Sequence, residues 1–403
     1  MQRRALIIGG SVGGLLGYAL LRQAGWNATI FERTVGDLAG RGAGLGISQN
    51  LVDILRRIGA RFEPSAGSAH DAYVWMERNE SISFSHRRPT VGSTWPRVYK
   101  PLRALVPAQD YRQGANLVRI TQEGDAVTAH FADGAQETGD ILVAADGVFS
   151  TVRQQFLPDV APSFASYVAW RGLAEESEMS AAALAAIGHQ VVYCFPEGEM
   201  LLAMTVPGVG DDMRPGHRRI YFIWYRRTSS SELRDLFTDA SGRHHGISIP
   251  PPLIRSEFIV ALRDHARSVL PSCICEAVMR APQILLQAVS DLQVPQMVFG
   301  RVALMGDAAF VARPHTAAGV SKAALDAQCL ADELVSCEGD IDGALARYEK
   351  ARLAFGQQLC AHSRYLGAYL EGLDQERDPE KIIRDYGAQS LLRDVEVAAF
   401  SAH

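Results

Sequence analysis

Lysine is nearly absent from this chain of 403 residues, which has four lysines against thirty-six arginines. Acidic residues outnumber basic ones and the formal net charge is −5, so the arginines provide no basic surplus for nucleic-acid binding. No apolar run reaches the roughly 18 residues that a membrane-spanning helix needs. The sequence therefore predicts neither a nucleic-acid partner nor a stable membrane association.

Cysteine pairs of the metal-binding kind are also lacking. The six cysteines include no C-x-x-C pair, and the closest couple, Cys273 and Cys275, has no histidine at metal-ligand spacing. We expect no metal site, reduced thiols and a cytoplasmic location. The length and the 47% hydrophobic content are typical of a soluble enzyme of two or three domains.

The first segment that carries chemistry is the turn at 9–14, Gly-Gly-Ser-Val-Gly-Gly, which follows an apolar strand at 5–8 and opens a helix. Glycines let the backbone approach a pyrophosphate, and the positive end of the helix favours its charge. Ser11 departs from the G-x-G-x-x-G pattern, which has glycine there. The residues predicted to hold the phosphates are Gly9, Ser11, Gly13 and Gly14.

A second strand, 27–31, ends at Glu32, where an acid binds the ribose hydroxyls of an adenosine and argues against a 2′-phosphate. Arg33 is a further cofactor candidate beside it. The alternative for 5–21 is a signal peptide, because Arg3 and Arg4 precede an uncharged stretch. Its glycines and the lack of a small-residue cleavage site argue against that alternative.

Two later segments repeat the strand-to-helix design. Strand 141–144 leads into Asp146-Gly147, and strand 302–305 leads into Gly306-Asp307 ahead of a helix from about 319 to 334. Open α/β sheets bind ligands at the carboxyl ends of their strands, which places both aspartates at a binding edge. Asp146 could instead cap the following helix. Arg153 is either a charge beside the ligand or a surface residue of that helix.

In this order, the three motifs resemble those of the single-component (class A) flavoprotein aromatic hydroxylases over residues 1 to about 370. The resemblance implies FAD, NADH or NADPH as electron donor, and hydroxylation of a small aromatic substrate with O2 through a flavin hydroperoxide. No second glycine turn is seen, so the nicotinamide cofactor has no domain of its own. The further FAD contacts implied are Arg41, Gly44, Leu45, Asp146, Arg153, Gly306, Asp307, Pro314, Ala317, Ala318, Gly319 and Val320.

The resemblance also implies an α/β fold like that of p-hydroxybenzoate hydroxylase. A Rossmann-like FAD-binding domain carries an inserted, mostly antiparallel substrate-binding sheet and is followed by C-terminal helices. Four segments with strand patterning predict that sheet independently, at 167–173, 190–195, 200–206 and 219–226. The expected FAD-binding domain comprises 1–70, 98–160 and 285–340, the substrate-binding domain 71–97 and 161–284, and the helical segment 341–403. The helices at 344–369 could form a homodimer interface or an ordinary surface pair.

Departures from the common family pattern, which include Ser321 where asparagine is common, indicate the class of substrate. Ser11, Tyr99, Phe310 and the sequence Ala-Arg-Pro-His-Thr-Ala-Ala-Gly at 312–319 are together most similar to the 2,6-dihydroxypyridine 3-hydroxylase group. The substrate that this implies is a hydroxylated N-heteroaromatic ring such as a dihydroxypyridine, or a phenol.

Four residues are candidates for contact with the substrate. His315, beside Pro314, could act as a base near the substrate hydroxyl or be a satisfied loop histidine. The Pro314 carbonyl could position substrate and flavin. Arg171 could hold an anionic substrate oxygen or pair with Glu175 or Glu176. Strand alternation places Tyr225 in the pocket, with Tyr193 and Met204 as further lining candidates, although an aromatic strand is often core.

Two other enzyme classes remain open. A nicotinamide-dependent dehydrogenase would use the glycine turn but would give no role to Asp146 and Asp307. A flavin oxidoreductase that acts on another phenol or a quinone-like substrate would share every cofactor loop. A halogenase is disfavoured because the chain has no W-x-W-x-I-P signature.

Overall fold

The computed structural model describes residues 3–38, 44–63, 67–371 and 378–385. The strands are β1 (Arg4–Ile8), β2 (Asn27–Glu32), β3 (Gly44–Gly46), β4 (Ser68–Met76), β5 (Ile82–Thr94), β6 (Tyr111–Gln113), β7 (Leu117–Glu123), β8 (Ala126–Phe131), β9 (Gln136–Gly139), β10 (Ile141–Ala144), β11 (Ser163–Glu175), β12 (Gln190–Cys194), β13 (Glu199–Val206), β14 (Arg219–Arg227), β15 (Ser248–Ile249), β16 (Ile284–Gln293), β17 (Val298–Phe299), β18 (Val302–Leu304) and β19 (Phe310–Val311). The helices are α1 (Val12–Gln23), α2 (Gln49–Arg57), α3 (Trp95–Ala104), α4 (Thr151–Phe156), α5 (Ala181–Ile187), α6 (Ser230–Leu236), α7 (Ser256–Val269), α8 (Ser272–Arg280), α9 (Gly319–Ser336), α10 (Ile341–Gly367) and α11 (Pro379–Asp385).

The predicted strands of the three motifs lie side by side in a six-stranded sheet of order β17-β18-β10-β1-β2-β6. All pairs except β17 with β18 are parallel. These strands read as unbroken apolar runs because both faces of a parallel sheet are covered. Ile8 pairs with Ala144, and Ala144 pairs with Leu304, so the three motif loops leave neighbouring strands at one edge.

A ten-stranded sheet, ordered β15-β16-β11-β14-β13-β12-β4-β5-β3 with β19 attached to β16, faces that edge. It is antiparallel except for β12 with β4, and β11 to β14 contain the four predicted strands. Alternation divides its side chains between two faces. One face packs on α5 and α8 through residues such as Ala183 and Ile274, whereas Met204 and Tyr225 belong to the opposite face.

Two features of the sheets differ from the expected arrangement. β16 was assigned to the FAD-binding segment that begins at 285, but it pairs with β11 at Trp170 and Leu286. Its far end pairs with β19 at Leu292 and Val311, so it connects the substrate sheet to the third motif. The small sheet β7-β8-β9 was not predicted, and it lies within the segment 98–160.

The long helix α10 packs its apolar side chains against the hydrophobic core of the same chain. The dimer suggestion came from four apolar residues of this helix. Leu345, Tyr348 and Phe355 are each at most 2% exposed in the hydrophobic core, and Leu353 is partly buried against it. The stretch considered as a signal peptide forms β1 and α1, whose residues are largely buried. In the described part of the chain, no helix is both long and apolar enough to span a membrane.

Candidate active site

A cavity of about 510 Å³ lies between the carboxyl edge of the six-stranded sheet and one face of the ten-stranded sheet. Predicted cofactor residues on its wall are Ser11, Gly13, Gly44, Leu45, Gly306, Asp307, Pro314, Ala317, Ala318, Gly319 and Val320. Side chains of the ten-stranded sheet on its wall include Tyr73, Arg171, Leu202, Met204, Tyr221, Ile223, Tyr225 and Gln287. The fold thus brings most of the predicted cofactor residues together with the substrate sheet.

The glycines of the first turn serve two different needs. Gly9 has φ +106°, and a Cβ on it would overlap the Ala145 carbonyl. A Cβ on Gly14 would overlap the Gly9 carbonyl oxygen. Gly13 differs, because its nearest neighbour would be the Ala323 Cβ at 3.6 Å and the residue lines the cavity. Backbone packing therefore requires Gly9 and Gly14, whereas Gly13 keeps the cavity open.

Glu32 stabilises the glycine turn through hydrogen bonds with backbone N–H groups. Its two carboxylate oxygens accept hydrogen bonds from the Gly10 N–H at 2.7 Å and the Thr34 N–H at 2.8 Å. An ionised carboxylate has about four acceptor sites, so ribose hydroxyls can still bind. Glu32 is buried and Arg33 is exposed, and neither lines the cavity. Arg41, also predicted to contact FAD, lies outside the described residues.

Asp146 has an unsatisfied buried oxygen. Its Oδ2 accepts a 3.3 Å hydrogen bond from the Val152 N–H, but Ser150 is the N-cap of α4 and accepts from the Arg153 N–H at 2.9 Å. Among the described residues, no donor reaches Asp146 Oδ1. Burial raises the pKa of this carboxyl. A buried acceptor without a partner fits a site for a ligand hydroxyl or water.

Arg153 joins the second and third motif loops. It is fully buried, and its guanidinium donates to the carbonyls of Val148 at 2.7 Å, Ala308 at 3.2 Å and Val160 at 3.4 Å. The surface alternative was therefore wrong. Arg153 does not line the cavity either, so its contacts support a positioning role for the two loops rather than direct contact with a cofactor.

The third motif is held by α9. The Gly306 N–H donates to Asp326 Oδ2 at 3.0 Å, and Asp307, half-exposed on the cavity wall, pairs with Lys322 Nζ at 3.0 Å. Sequence reasoning missed Lys322. The sequence feature that could have revealed it is the one lysine of the predicted helix, which lies between the small and apolar segments 317–320 and 323–325.

The N-terminus of α9 opens on the same cavity. Ala317 takes the left-handed conformation with φ +49°, which turns the chain into the helix. The N-cap residue is Ala318, whose side chain cannot accept a hydrogen bond from the first turn. Gly319 and Val320 line the cavity. The first N–H groups of a helix lack partners within it and carry partial positive charge, so they suit an anionic or polar ligand group.

These features fit FAD. Two helix N-termini, those of α1 and α9, border the cavity, and Gly13 leaves room for a close approach. Asp146 does not line the cavity itself, but it lies between the lining residues Ala145 and Gly147 and carries an oxygen to which no described residue donates. The pyrophosphate requires such N–H groups, and the hydroxyls of FAD require such acceptors.

His315 does not lie where a catalytic base would. It is fully buried and absent from the cavity wall, and its Nε2 lies 2.7 Å from the Tyr167 hydroxyl. Burial, with a smaller contribution from Arg313, lowers its pKa to about 3. His315 therefore does not reach the cavity as the predicted base would. It is a buried loop histidine whose Nε2 has a partner, whereas no described residue bonds its Nδ1. Pro314 does line the cavity.

Arg171 is the cation that the substrate sheet presents to the cavity. The expected alternative was an ion pair with Glu175 or Glu176. Glu176 instead pairs with Arg218, and among the described residues Arg171 forms no ion pair with Glu175. Within the described ranges, Arg171 Nε is buried and has no hydrogen-bond partner. A guanidinium with a free buried donor suits a carboxylate or an ionised ring oxygen.

The aromatic wall contains both predicted and missed residues. Met204 and Tyr225 line the cavity as predicted, although Tyr225 is also fully buried against Tyr167 and His315. Tyr193 is buried but does not line the cavity. The missed lining residues include Tyr73, Leu202, Tyr221, Ile223 and Gln287. Period-two alternation from Tyr225 would have found Tyr221 and Ile223, whereas Tyr73 comes from β4, which was not predicted.

Comparison with known proteins shows what the chain is similar to. Residues 164–291 match a family described as FAD binding domain-like, and 264–363 match one described as FAD binding domain. The chain is 29% identical over 358 residues to the 2,6-dihydroxypyridine 3-monooxygenase of Paenarthrobacter nicotinovorans, with 88% of each protein covered. The solved structure of 2,6-dihydroxypyridine-3-hydroxylase from Arthrobacter nicotinovorans superposes with a TM-score of 0.87 at 26% identity, covering 95% of this chain and 96% of that one.

Over most of its length the chain is similar to FAD-dependent aromatic hydroxylases, and these matches support its assignment to class A. The chain is also 27% identical to the 6-hydroxynicotinate 3-monooxygenase of Bordetella bronchiseptica, with 81% of each protein covered. Its fold matches that of a salicylate hydroxylase solved as a substrate complex, with a TM-score of 0.75 at 23% identity over 98% of each chain. The predicted fold class, cofactor and enzyme class are confirmed. The dehydrogenase alternative was wrong.

Proposed function

We propose that this hydroxylase uses NADH or NADPH and O2 to hydroxylate a hydroxylated N-heteroaromatic ring, of which a dihydroxypyridine is the first candidate. The observation that carries the proposal is Arg171, a cation with a free buried donor on an otherwise largely aromatic and aliphatic wall opposite the FAD loops. The names of two relatives, one acting on 2,6-dihydroxypyridine and one on 6-hydroxynicotinate, share a hydroxylated pyridine ring and support this class.

The proposed contacts with FAD follow the cavity wall. Amides at the N-terminus of α1, beside Ser11 and Gly13, would receive the pyrophosphate, and Glu32 would accept from the ribose. Asp307 would accept from the ribityl chain, and the loop from Pro314 to Gly319 would contact the flavin ring. Bound FAD supplies the electron transfer and oxygen activation that no amino-acid side chain provides.

The protein itself positions the ring and excludes water. Arg171 holds an ionised oxygen of the substrate, which favours the electron-rich form of the ring. Tyr221, Ile223 and Tyr225 stack against or enclose the ring from the sheet side. By excluding water from this space, the protein would limit the loss of reducing equivalents to hydrogen peroxide. His315 takes no part in proton transfer in this scheme, because it is buried away from the cavity.

The test starts with purified protein and its visible spectrum. NADH and NADPH oxidation and O2 uptake are then followed as 2,6-dihydroxypyridine, 6-hydroxynicotinate or phenol is added. We expect a yellow protein whose O2 uptake is stimulated by a hydroxypyridine and matched by hydroxylated product. Stimulation by phenol alone would favour the second candidate, a hydroxylase of simple phenols. Flavin reduction with no product from any ring would contradict the proposal.

A further inference from the structure

One side of α9 forms hydrogen bonds with both residues of the third motif, Gly306 and Asp307. Lys322 and Asp326 are four positions apart, so they lie on the same side of the helix. Asp326 Oδ2 accepts from the Gly306 N–H at 3.0 Å, and Lys322 Nζ pairs with Asp307 Oδ1 at 3.0 Å. Arg352 from α10 supports Asp326 through a 2.7 Å ion pair. The loop that borders the cavity is therefore fixed from the side opposite the cavity.

Lys322 differs from the other members of this network in carrying a buried charge whose counter-ion faces the cavity. Its side chain is 1% exposed, whereas the Asp307 side chain is 53% exposed. Its amine also donates to the Phe310 carbonyl, and in the part of the chain that the structure describes Asp307 is its one ion-pair partner. An ammonium group is costly to bury without such a partner.

The pairing matters for a ligand with negative charges. FAD carries a pyrophosphate, so an uncompensated carboxylate on the cavity wall would repel it. Lys322 neutralises that carboxylate from behind and occupies only Oδ1, and no described residue bonds Oδ2. The second oxygen is then available to a hydroxyl of the cofactor.

We infer that Lys322 is a positioning residue for FAD, which orients Asp307 toward the ribityl chain and cancels its charge. The inference rests on the proposed contact between Asp307 and the cofactor. It requires no statement about the substrate. The competing explanation is that Lys322 only fills and stabilises the core beneath the loop.

A double-mutant cycle separates these explanations. The variants are Lys322→Met, Asp307→Asn and the two combined, and the readout is the dissociation constant for FAD, measured by flavin fluorescence on dilution of the purified holoprotein. Lys322→Met should raise this constant about 10- to 100-fold, because it leaves a bare carboxylate. In the combined variant the constant should return to within about threefold of that of Asp307→Asn, because no charge remains uncompensated.

Lys350→Met is the matched control, since Lys350 is exposed on α10 and its change should leave FAD binding unaltered. Lys322→Gln keeps an N–H donor and is the second variant if the methionine variant does not fold. Equal losses from Lys322→Met with and without Asp307→Asn would overturn the inference, as would FAD binding unchanged by Lys322→Met or by Lys322→Gln. The release of FAD is measured without turnover, so a wrong substrate class could not produce any of these results.

Discussion

Replacing Arg171 by methionine tests the proposed recognition of the substrate most directly. The methionine keeps much of the aliphatic stem but removes the guanidinium from the cavity wall. Hydrogen bonds to charged groups contribute about 1.5–3 kcal/mol, and each 1.4 kcal/mol is a factor of about ten. We therefore expect kcat/KM for the aromatic substrate to fall about 10- to 150-fold.

Other properties of the Arg171→Met variant should remain. Because no described residue accepts from Arg171 Nε, the change breaks no known hydrogen bond of this atom with the fold. FAD content and thermal stability should stay close to those of the unaltered protein. Arg171→Lys should show an intermediate loss, because lysine restores the charge without the bidentate geometry.

The assay measures substrate-stimulated NAD(P)H oxidation together with hydroxylated product, so that uncoupled turnover is seen separately. Arg119→Met, the same chemical change on an exposed position of β7, is the control. If Arg171→Met changed kcat/KM by less than about twofold while keeping its FAD, Arg171 would not bind the substrate and the reasoning would fail.

Three further predictions concern the turn, the loops and pH. Gly13→Ala should fold with normal or higher thermal stability yet bind FAD at least about tenfold more weakly, whereas Gly14→Ala should fail to fold, since its Cβ overlaps a carbonyl. Arg153→Met should cost about 3 kcal/mol or more, lower the melting temperature and speed FAD release, because it leaves buried carbonyls unpaired. The pKa of His315 is lowered from 6.5 to about 3, so the folded state binds fewer protons than the unfolded state between these values. Its contribution to stability is complete above about pH 6.5 and is lost as the pH falls, by up to about 1.4 kcal/mol per pH unit. His315→Asn should consequently lose less melting temperature than the unaltered protein between pH 6.5 and 4.

Each of these predictions has a contrary outcome. If Gly13→Ala bound FAD with unchanged affinity, the pyrophosphate would not bind beside Gly13. An unchanged melting temperature in Arg153→Met would show that its carbonyl contacts do not hold the loops. A His315→Asn variant as acid-sensitive as the unaltered protein would refute neutral burial of this histidine. A shift of the hydroxylation pH profile near neutrality in the same variant, without loss of FAD, would restore it as a base.

Features that depend on local backbone geometry could be predicted from the sequence. The motif strands, the start of α9 at Gly319 and the strands β11 to β14 follow from periodicity and turn residues, which act over a few residues. The need for glycine at Gly9 and Gly14 belongs to the same class. Because parallel strands end at a common edge, the sequence also predicted that the three motif loops lie next to one another.

The direction and partners of individual side chains were decided by packing between distant segments. His315 lies beside Pro314 in sequence, yet the loop turns it away from the cavity toward Tyr167, which is 148 positions away. Arg153 was expected to touch the cofactor and instead binds the loop of Ala308. Neither outcome could be read from local patterns, because loop side chains have no fixed period.

The sequence by itself determined the class of fold, the cofactor and the set of loops that surround it, since these depend on glycine turns, strand ends and helix starts that every short segment encodes. Only the tertiary structure decided which charges meet. In the folded chain Lys322 is buried and pairs with Asp307, and His315 is buried in the core. Arg171 lies on the cavity wall with a free donor. The physical reason is that a buried charge or donor is specified by its partner, and these partners come from elements far apart in the chain.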